Sequence, residues 1–427
     1  MSAESVVQRC MACGAVFGDL DPRIQCGSCG GLLDIEHPAP AEKGPALRAR
    51  FDQRTGTARG FLASGVWRFR EIVHPSAGDD VVSWPEGNTP LLSREAVSSW
   101  TGCPGLLLKH EGYNPTGSFK DRGMTVAVTQ ARRIGATAVA CATTGNTGAS
   151  LAAYASAAGL TGVVIVPGGG VALGKLAQVM AYGARTLVVR GDFDACLRLA
   201  REATEELGFY LVNSINPFRL EGQKTIVLEL LQQVEWNPPD WIVVPAGNLG
   251  NTAAFGKALA EARACGLISR LPRLAAVQAE GAAPFARSFQ DGFKTRHSVV
   301  ANTVASAIRI GDPASWDRAV RAIRETNGVV TTVSDSEILE AKAVVDASGV
   351  GCEPASAAAV AGARRLVRDG VIGPGQSVAA VLTGHLLKDP GVVTWYHSEV
   401  EPRPPLANRP VEIDARISDV ARALRSR

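Results

Sequence analysis

Between about Leu106 and Thr383 the chain repeats one pattern: a short apolar run, a loop, then an alanine-rich stretch with helical spacing. The runs lie at 138–142, 162–167, 185–190, 241–245, 274–278 and 377–383. None alternates strictly between apolar and polar residues, so each predicts a strand covered on both faces, as in a parallel sheet. Helical stretches at 174–182, 193–207 and 220–234 stand among them. Strand, loop and helix in repetition predict an α/β class with open, mostly parallel sheets. In such folds ligands sit beyond the carboxyl ends of strands, which directs attention to the loops after the runs.

Three of those loops are rich in Gly, Asn and Thr. Thr143-Thr144-Gly145-Asn146-Thr147-Gly148 follows the 138–142 run, Gly247-Asn248-Leu249-Gly250-Asn251 follows 241–245, and Thr383-Gly384-His385 closes the last. Glycine lets the backbone approach a ligand, and amides at a helix start attract phosphate. A fourth stretch, Asn114-Pro-Thr-Gly-Ser-Phe-Lys-Asp-Arg-Gly123, has Ser118 and Asp121 at capping-box spacing. That predicts Ser118 as an N-cap with Lys120 in the first turn. The macrodipole disfavours a cation there and pushes the amine towards its neutral form, which a Schiff base requires. Glu353-Pro354 reads more simply, as a helix start with a carboxylate in its first turn.

Other chemistries are excluded by what is missing. Gly169-Gly-Val-Ala-Leu-Gly-Lys175 approaches a Walker A loop, but Leu176 stands where Ser or Thr must meet Mg²⁺. No Gly-x-Gly-x-x-Gly opens a strand–helix unit, and no Gly-x-Ser-x-Gly elbow occurs. Lys and Arg number 44 against 41 Asp and Glu, and a net charge of +3 over 427 residues gives no basic footprint for nucleic acid. No apolar stretch approaches the ~18–20 residues that cross a bilayer. Glu4, Arg9 and two early cysteines are unlike a secretory leader, so a soluble, cytoplasmic protein is expected.

Of nine cysteines, five are scattered singly among small or apolar residues. The others form Cys10-Met-Ala-Cys13 and Cys26-Gly-Ser-Cys29, a pairing suited to one tetrahedral Zn²⁺ with no open coordination position. Residues 1–37 are thus expected to form a zinc-ribbon-like staple. Pro, Gly and charge punctuate 38–60, a linker into the main body, and 401–410 is a second linker. It leads to a helix whose Ile413, Ile417, Val420 and Leu424 recur at helical spacing. That helix is expected to pack on the body or on a partner chain.

Ser-Phe-Lys-Asp-Arg-Gly, the Gly-Asn loops and Thr383-Gly-His resemble the pyridoxal-phosphate enzymes of fold type II, the tryptophan-synthase-β type, and within them the threonine synthases. Further matching stretches are Glu86-Gly-Asn-Thr-Pro-Leu91, Asn213-Ser-Ile-Asn-Pro-Phe-Arg-Leu-Glu-Gly222, Glu353-Pro-Ala-Ser-Ala357 and Leu387-Lys-Asp389, so the likeness spans about 80–400. It implies two open, mostly parallel sheet domains. Residues 38–108 would be linker and start of the large domain, 109–215 a small mobile domain, 216–400 the large cofactor domain, and 401–427 a C-terminal linker and helix.

The resemblance also implies roles. Lys120 would carry pyridoxal phosphate covalently, Asn146 would bond the cofactor's 3′ oxygen, and Gly247, Asn248, Leu249, Gly250 and Asn251 would cradle its phosphate. Thr383 would bond the pyridine nitrogen and leave it largely unprotonated. The substrate, a phosphorylated amino acid, would lie near Thr144, Gly145, Thr147, Asn213, Ser214, Arg219 and Asn248. A planar guanidinium fork with neutral donors suits a dianionic phosphate. The implied reaction is O-phospho-L-homoserine plus water to L-threonine plus phosphate, in a homodimer. Three residues depart from the family pattern: Leu386 in place of a glycine, Gly148 where many members carry alanine, and Phe218 at an often polar position. They keep a cysteate-synthase-like or specialised-metabolism replacement enzyme and a threonine deaminase open as alternatives, beside a catalytically dead binding protein. Metal analysis of the purified protein should return about one zinc per chain, and serine at all four paired cysteines should abolish it.

Overall fold

The structure, a computed structural model, describes residues 5–143, 145–168, 173–191 and 193–425, with the side chains of 173–175, 193 and 194 excepted. Thr144 and residues 169–172 of the Walker-like stretch lie outside the described residues. Strands β1 (Val7–Cys10), β2 (Val16–Gly18) and β3 (Leu33–Glu36) form an antiparallel ribbon in the order β2-β1-β3. Then follow β4 (Leu91–Ser93), β5 (Leu107–His110), β6 (Ala138–Ala142), β7 (Thr161–Pro167), β8 (Arg185–Val189) and β9 (Tyr210–Leu211). The remainder are β10 (Trp241–Pro245), β11 (Arg273–Ala279), β12 (Val329–Val333) and β13 (Val378–Leu382).

These make a six-stranded sheet, β12-β11-β10-β13-β5-β4, and a four-stranded one, β8-β7-β6-β9. All pairings are parallel except β4 with β5. The apolar runs therefore become strands within one residue at each end. On β10, Ile242 and Val244 enter one core while Trp241 and Val243 enter another, which is why the run shows no alternation. Residues 109 and 110, placed above at the start of the small domain, belong to β5 and so to the six-stranded sheet.

One helix differs from expectation, and another narrows one. The stretch expected at 220–234 is two helices, Pro217–Gln223 and Thr225–Gln233. The first starts early because Asn216 caps it, accepting from Phe218 N at 3.0 Å, with Pro217 at its start. The C-terminal helix Ile417–Arg425 leaves Ile417 83% and Leu424 73% exposed, so this chain's own body does not cover its apolar face.

At the end of β5 lies a buried ionic cluster. Arg122 donates from Nε and Nη2 to the two Glu111 oxygens at 2.6 and 2.8 Å, and from Nη2 to Glu229 at 2.8 Å. Lys109 Nζ donates to Glu229 at 2.6 Å and Arg68 Nη2 donates to it at 2.5 Å, while the amides of Asn88 and Thr89 donate to the same carboxylate. Removing one member strands the rest without water, so Glu229→Gln is expected to cost about 3–5 kcal/mol of stability in denaturant unfolding.

Candidate active site

Lys120 is the first residue of the helix Lys120–Arg133, as the spacing predicts. The capping box does not form. Phe119 is the N-cap, and Asp121 instead accepts from Thr116 N and Oγ1 at 2.7 and 2.6 Å, drawn back by the preceding turn. Ser118 forms a β-bridge to Gly384, Phe119 N donates to Thr383 O at 3.0 Å, and His385 N to Gly117 O at 2.9 Å. The lysine loop is thereby sewn to the loop after β13. Burial lowers the Lys120 amine to about 7, reinforced by the Arg219 guanidinium and opposed by Glu353. Desolvation thus supplies the neutral amine that the macrodipole alone was expected to favour.

A cavity of about 420 Å³ opens at Lys120, bounded by the Gly247–Asn251 loop, Gly145 to Thr147, Asn213, Ser214, Arg219 and Thr383. Helix Gly250–Ala264 starts there after Leu249, whose φ of 63° is left-handed, and no side chain caps its first turn. Helix Asn146–Ala158 starts on the same cavity, also without a side-chain cap. Two helix starts with free amide donors facing one cavity suit anionic groups. Gly247 is held to glycine by contact, since a Cβ there would lie 2.9 Å from Ile308 Cα.

Arg219 is 1% exposed and lines this cavity. Its Nη1 donates to Val212 O at 3.0 Å, whereas Nε and Nη2 have no partner. Burial lowers its guanidinium to about 10. A desolvated cation with two idle donors needs an anion.

The neutral candidates are placed differently. Asn213 spends its amide on β6, accepting from Ala142 N at 3.1 Å and donating to Ala142 O at 3.0 Å. Asn248 donates to Ser214 Oγ at 3.1 Å and accepts from Ala314 N at 2.9 Å. Both line the cavity, with side chains already engaged.

Glu353 corrects the simpler reading made of it. It is the N-cap of helix Pro354–Arg368, makes no capping bond, and turns its buried carboxylate into the cavity floor. Asn146 Nδ2 donates to it at 3.0 Å and Thr383 Oγ1 at 3.2 Å. Burial raises its carboxyl, against those two hydrogen bonds. Gly384 is a close approach, since a Cβ there would stand 2.5 Å from Glu353 Cδ. Arg309 and the segment around it also line the cavity, with no motif to announce them. The signal for Glu353 was its place in a matching stretch.

The three departures from the family pattern fall outside the cavity lining. A Cβ on Gly351 would come within 2.3 Å of Leu386 Cδ2, so Leu386 packs there instead of crowding the site. A Cβ on Gly148 would meet Thr143, Val164 and Val179 at 3.2 Å, within the four-stranded layer. Phe218 is in the main core, 5.1 Å from the His74 ring.

In the ribbon, all four sulfurs of Cys10, Cys13, Cys26 and Cys29 lie within 4.8 Å of one another and can hold a metal ion. The Cys10–Cys29 and Cys13–Cys26 separations are 3.5 and 3.6 Å. These are far beyond a disulfide and near the edge, about 3.8 Å, of a tetrahedron with Zn–S arms of about 2.3 Å.

The family described as pyridoxal-phosphate dependent enzyme matches residues 82–384. A threonine synthase of Methanocaldococcus jannaschii is 42% identical over 390 residues, covering 90% of this chain and 93% of that protein. The chloroplastic threonine synthase 2 of Arabidopsis thaliana is 40% identical over 420 residues, covering 95% and 81%. The solved threonine synthase of Escherichia coli shares the fold, with a TM-score of 0.72 over 98% of this chain and 99% of that one, at 20% identity.

A lysine lowered to about 7 in the folded chain and ordinary in the unfolded one destabilises folding. The penalty is full below about 7 and disappears as pH rises through 10.5, the ordinary lysine value. Lys120→Met should therefore raise the denaturation midpoint of the cofactor-free protein, with a gain that shrinks to nothing across that window.

Proposed function

The chain belongs to the pyridoxal-phosphate dependent enzymes and, within them, to the threonine synthases, and on that premise we propose that it converts O-phospho-L-homoserine and water to L-threonine and phosphate. The observation that carries this is the pairing of an amine lowered to about 7, Lys120, with a buried guanidinium, Arg219, that has two idle donors in the same cavity.

The residues present fit the cofactor. Lys120 offers an unprotonated amine for its aldehyde, and the uncapped start of helix Gly250–Ala264 offers amides for its phosphate. Asn146 and Thr383 are held by Glu353 on the cavity floor, ready to bond the ring's polar atoms. Pyridoxal phosphate, when bound, supplies the electron sink that makes protons at Cα and Cβ removable.

The chain's own residues do the rest. Arg219 takes the substrate's phosphate and keeps it as the Cγ–O bond breaks and the leaving oxygen gains charge. Thr147 and Ser214 line the same cavity with hydroxyl donors, Asn248 holds Ser214 Oγ in place, and Gly145 lines it beside them. Lys120 Nζ would take the Cα proton and one Cβ proton, return one to Cγ after phosphate has left and the other to Cα once water has placed its hydroxyl on Cβ, while water's remaining proton goes to the released phosphate. The layer built on the four-stranded sheet β8-β7-β6-β9 acts as the small domain, which closes over the phosphate and withholds water until that addition.

Zn²⁺ in the four-cysteine cluster acts as a structural staple, since four thiolates leave no open position. The enzyme is a cytoplasmic homodimer in which the bare apolar face of helix Ile417–Arg425 is covered by the partner. No described helix is long and apolar enough to cross a membrane.

Incubation of holoenzyme with O-phosphohomoserine should yield threonine and phosphate in equal amounts; 2-oxobutyrate in their place would assign a deaminase. Borohydride should trap the cofactor on Lys120. Arg219→Ala should cut kcat/KM at least a hundredfold, about 2.7 kcal/mol, while cofactor absorbance persists. Equal loss of both would remove the role given to Arg219.

A further inference from the structure

We infer that Glu221 is a positioning residue for Arg219, and that the N-terminal ribbon, through Asp34 and Lys257, sets where this guanidinium stands. Glu221 lies two residues after Arg219 on the same short helix, with no solvent exposure. Three nitrogens converge on its carboxylate: the His37 imidazole Nε2 and Lys224 Nζ at 2.5 Å and Lys257 Nζ at 2.7 Å. Two of the links lead to the ribbon and its exit. His37 directly follows β3, and Lys257 Nζ also reaches Asp34 Oδ1 at 2.7 Å and Ile35 O at 2.5 Å.

Asp34 is held a second time by Arg321 at 2.9 Å, and Arg318 donates to Leu33 O. Leu33 pairs with Cys10 in the β1–β3 register and packs on Cys10 and Cys26, so the four-cysteine cluster is one residue from Asp34. On its other side the Arg219 helix is pressed against the Lys120 helix. A Cβ on Gly222 would fall 1.8 Å from Arg122 O, and one on Gly123 2.8 Å from Arg219 O. The helix is therefore clamped between the lysine helix and a rigid ion-paired ribbon. A shift in either changes where the two idle guanidinium donors point, and a misplacement of about 1 Å can cost a hundredfold.

This rests on Arg219 taking the substrate phosphate, so the test uses two probes. Inorganic phosphate is titrated calorimetrically into holoenzyme, and turnover of O-phosphohomoserine is measured in parallel. In Asp34→Asn and Glu221→Gln, phosphate should bind about tenfold more weakly. KM should rise by a similar factor, kcat should stay within about twofold, and cofactor absorbance should not change. Asp34→Asn carries the test if Glu221→Gln does not fold, since its side chain is 19% exposed. Unmoved phosphate affinity overturns the inference, as does cofactor loss in step with phosphate affinity. If Arg219→Ala abolishes phosphate binding and Asp34→Asn leaves it intact, only the ribbon's role falls. If wild type and Arg219→Ala bind phosphate alike, the reading of Arg219 falls with it.

Discussion

The fork that Arg122 makes to Glu111 and Glu229 underlies the rest of the structure. It lies two residues beyond Lys120, on the same first turn, and its partners come from the end of β5 and from helix Thr225–Gln233. Glu111 and Thr89 are tied in turn, with Thr89 Oγ1 donating to Glu111 at 2.7 Å. An amine that must point into a cavity needs a helix that cannot rotate, and a bidentate guanidinium is directional where apolar packing is not. Burying five charged groups is a weak route to stability and a strong one to a single arrangement, because any other register strands a charge.

That cluster and the cavity are built from the same residue types with opposite satisfaction. In the cluster, the Arg122 donors and the Glu229 oxygens meet partners; in the cavity, Arg219 keeps two donors idle and desolvation lowers the Lys120 amine to about 7. The low dielectric that makes an unpaired cation costly also makes its grip on an arriving dianion strong. The cavity is thus unsatisfied polarity enclosed by a satisfied frame.

Much of this was legible in residue order. The six apolar runs became strands, the Gly247–Asn251 loop became an uncapped helix start, and Lys120 fell in the first turn of its helix, each through local chemistry of few residues. The capping box at Ser118 was misread because spacing alone cannot say that Thr116 will claim the Asp121 carboxylate first. Strand β12 passed unnoticed, since Val329-Val-Thr-Thr-Val333 is a half-polar edge and not a buried run.

The order of residues was enough for the fold class, the first-turn place of Lys120 and the cysteine pairs, which rest on residue type and spacing, while Arg219 as a candidate anion ligand came from the family resemblance. Only the tertiary structure decided that Glu353 joins the site, that Leu386, Gly148 and Phe218 stay out of it, and that the ribbon grips the Arg219 helix. Those facts depend on which surfaces meet across hundreds of residues. Burial, which sets the charge of Lys120 and leaves Arg219 unpaired, is a property of the packed molecule and of no segment within it.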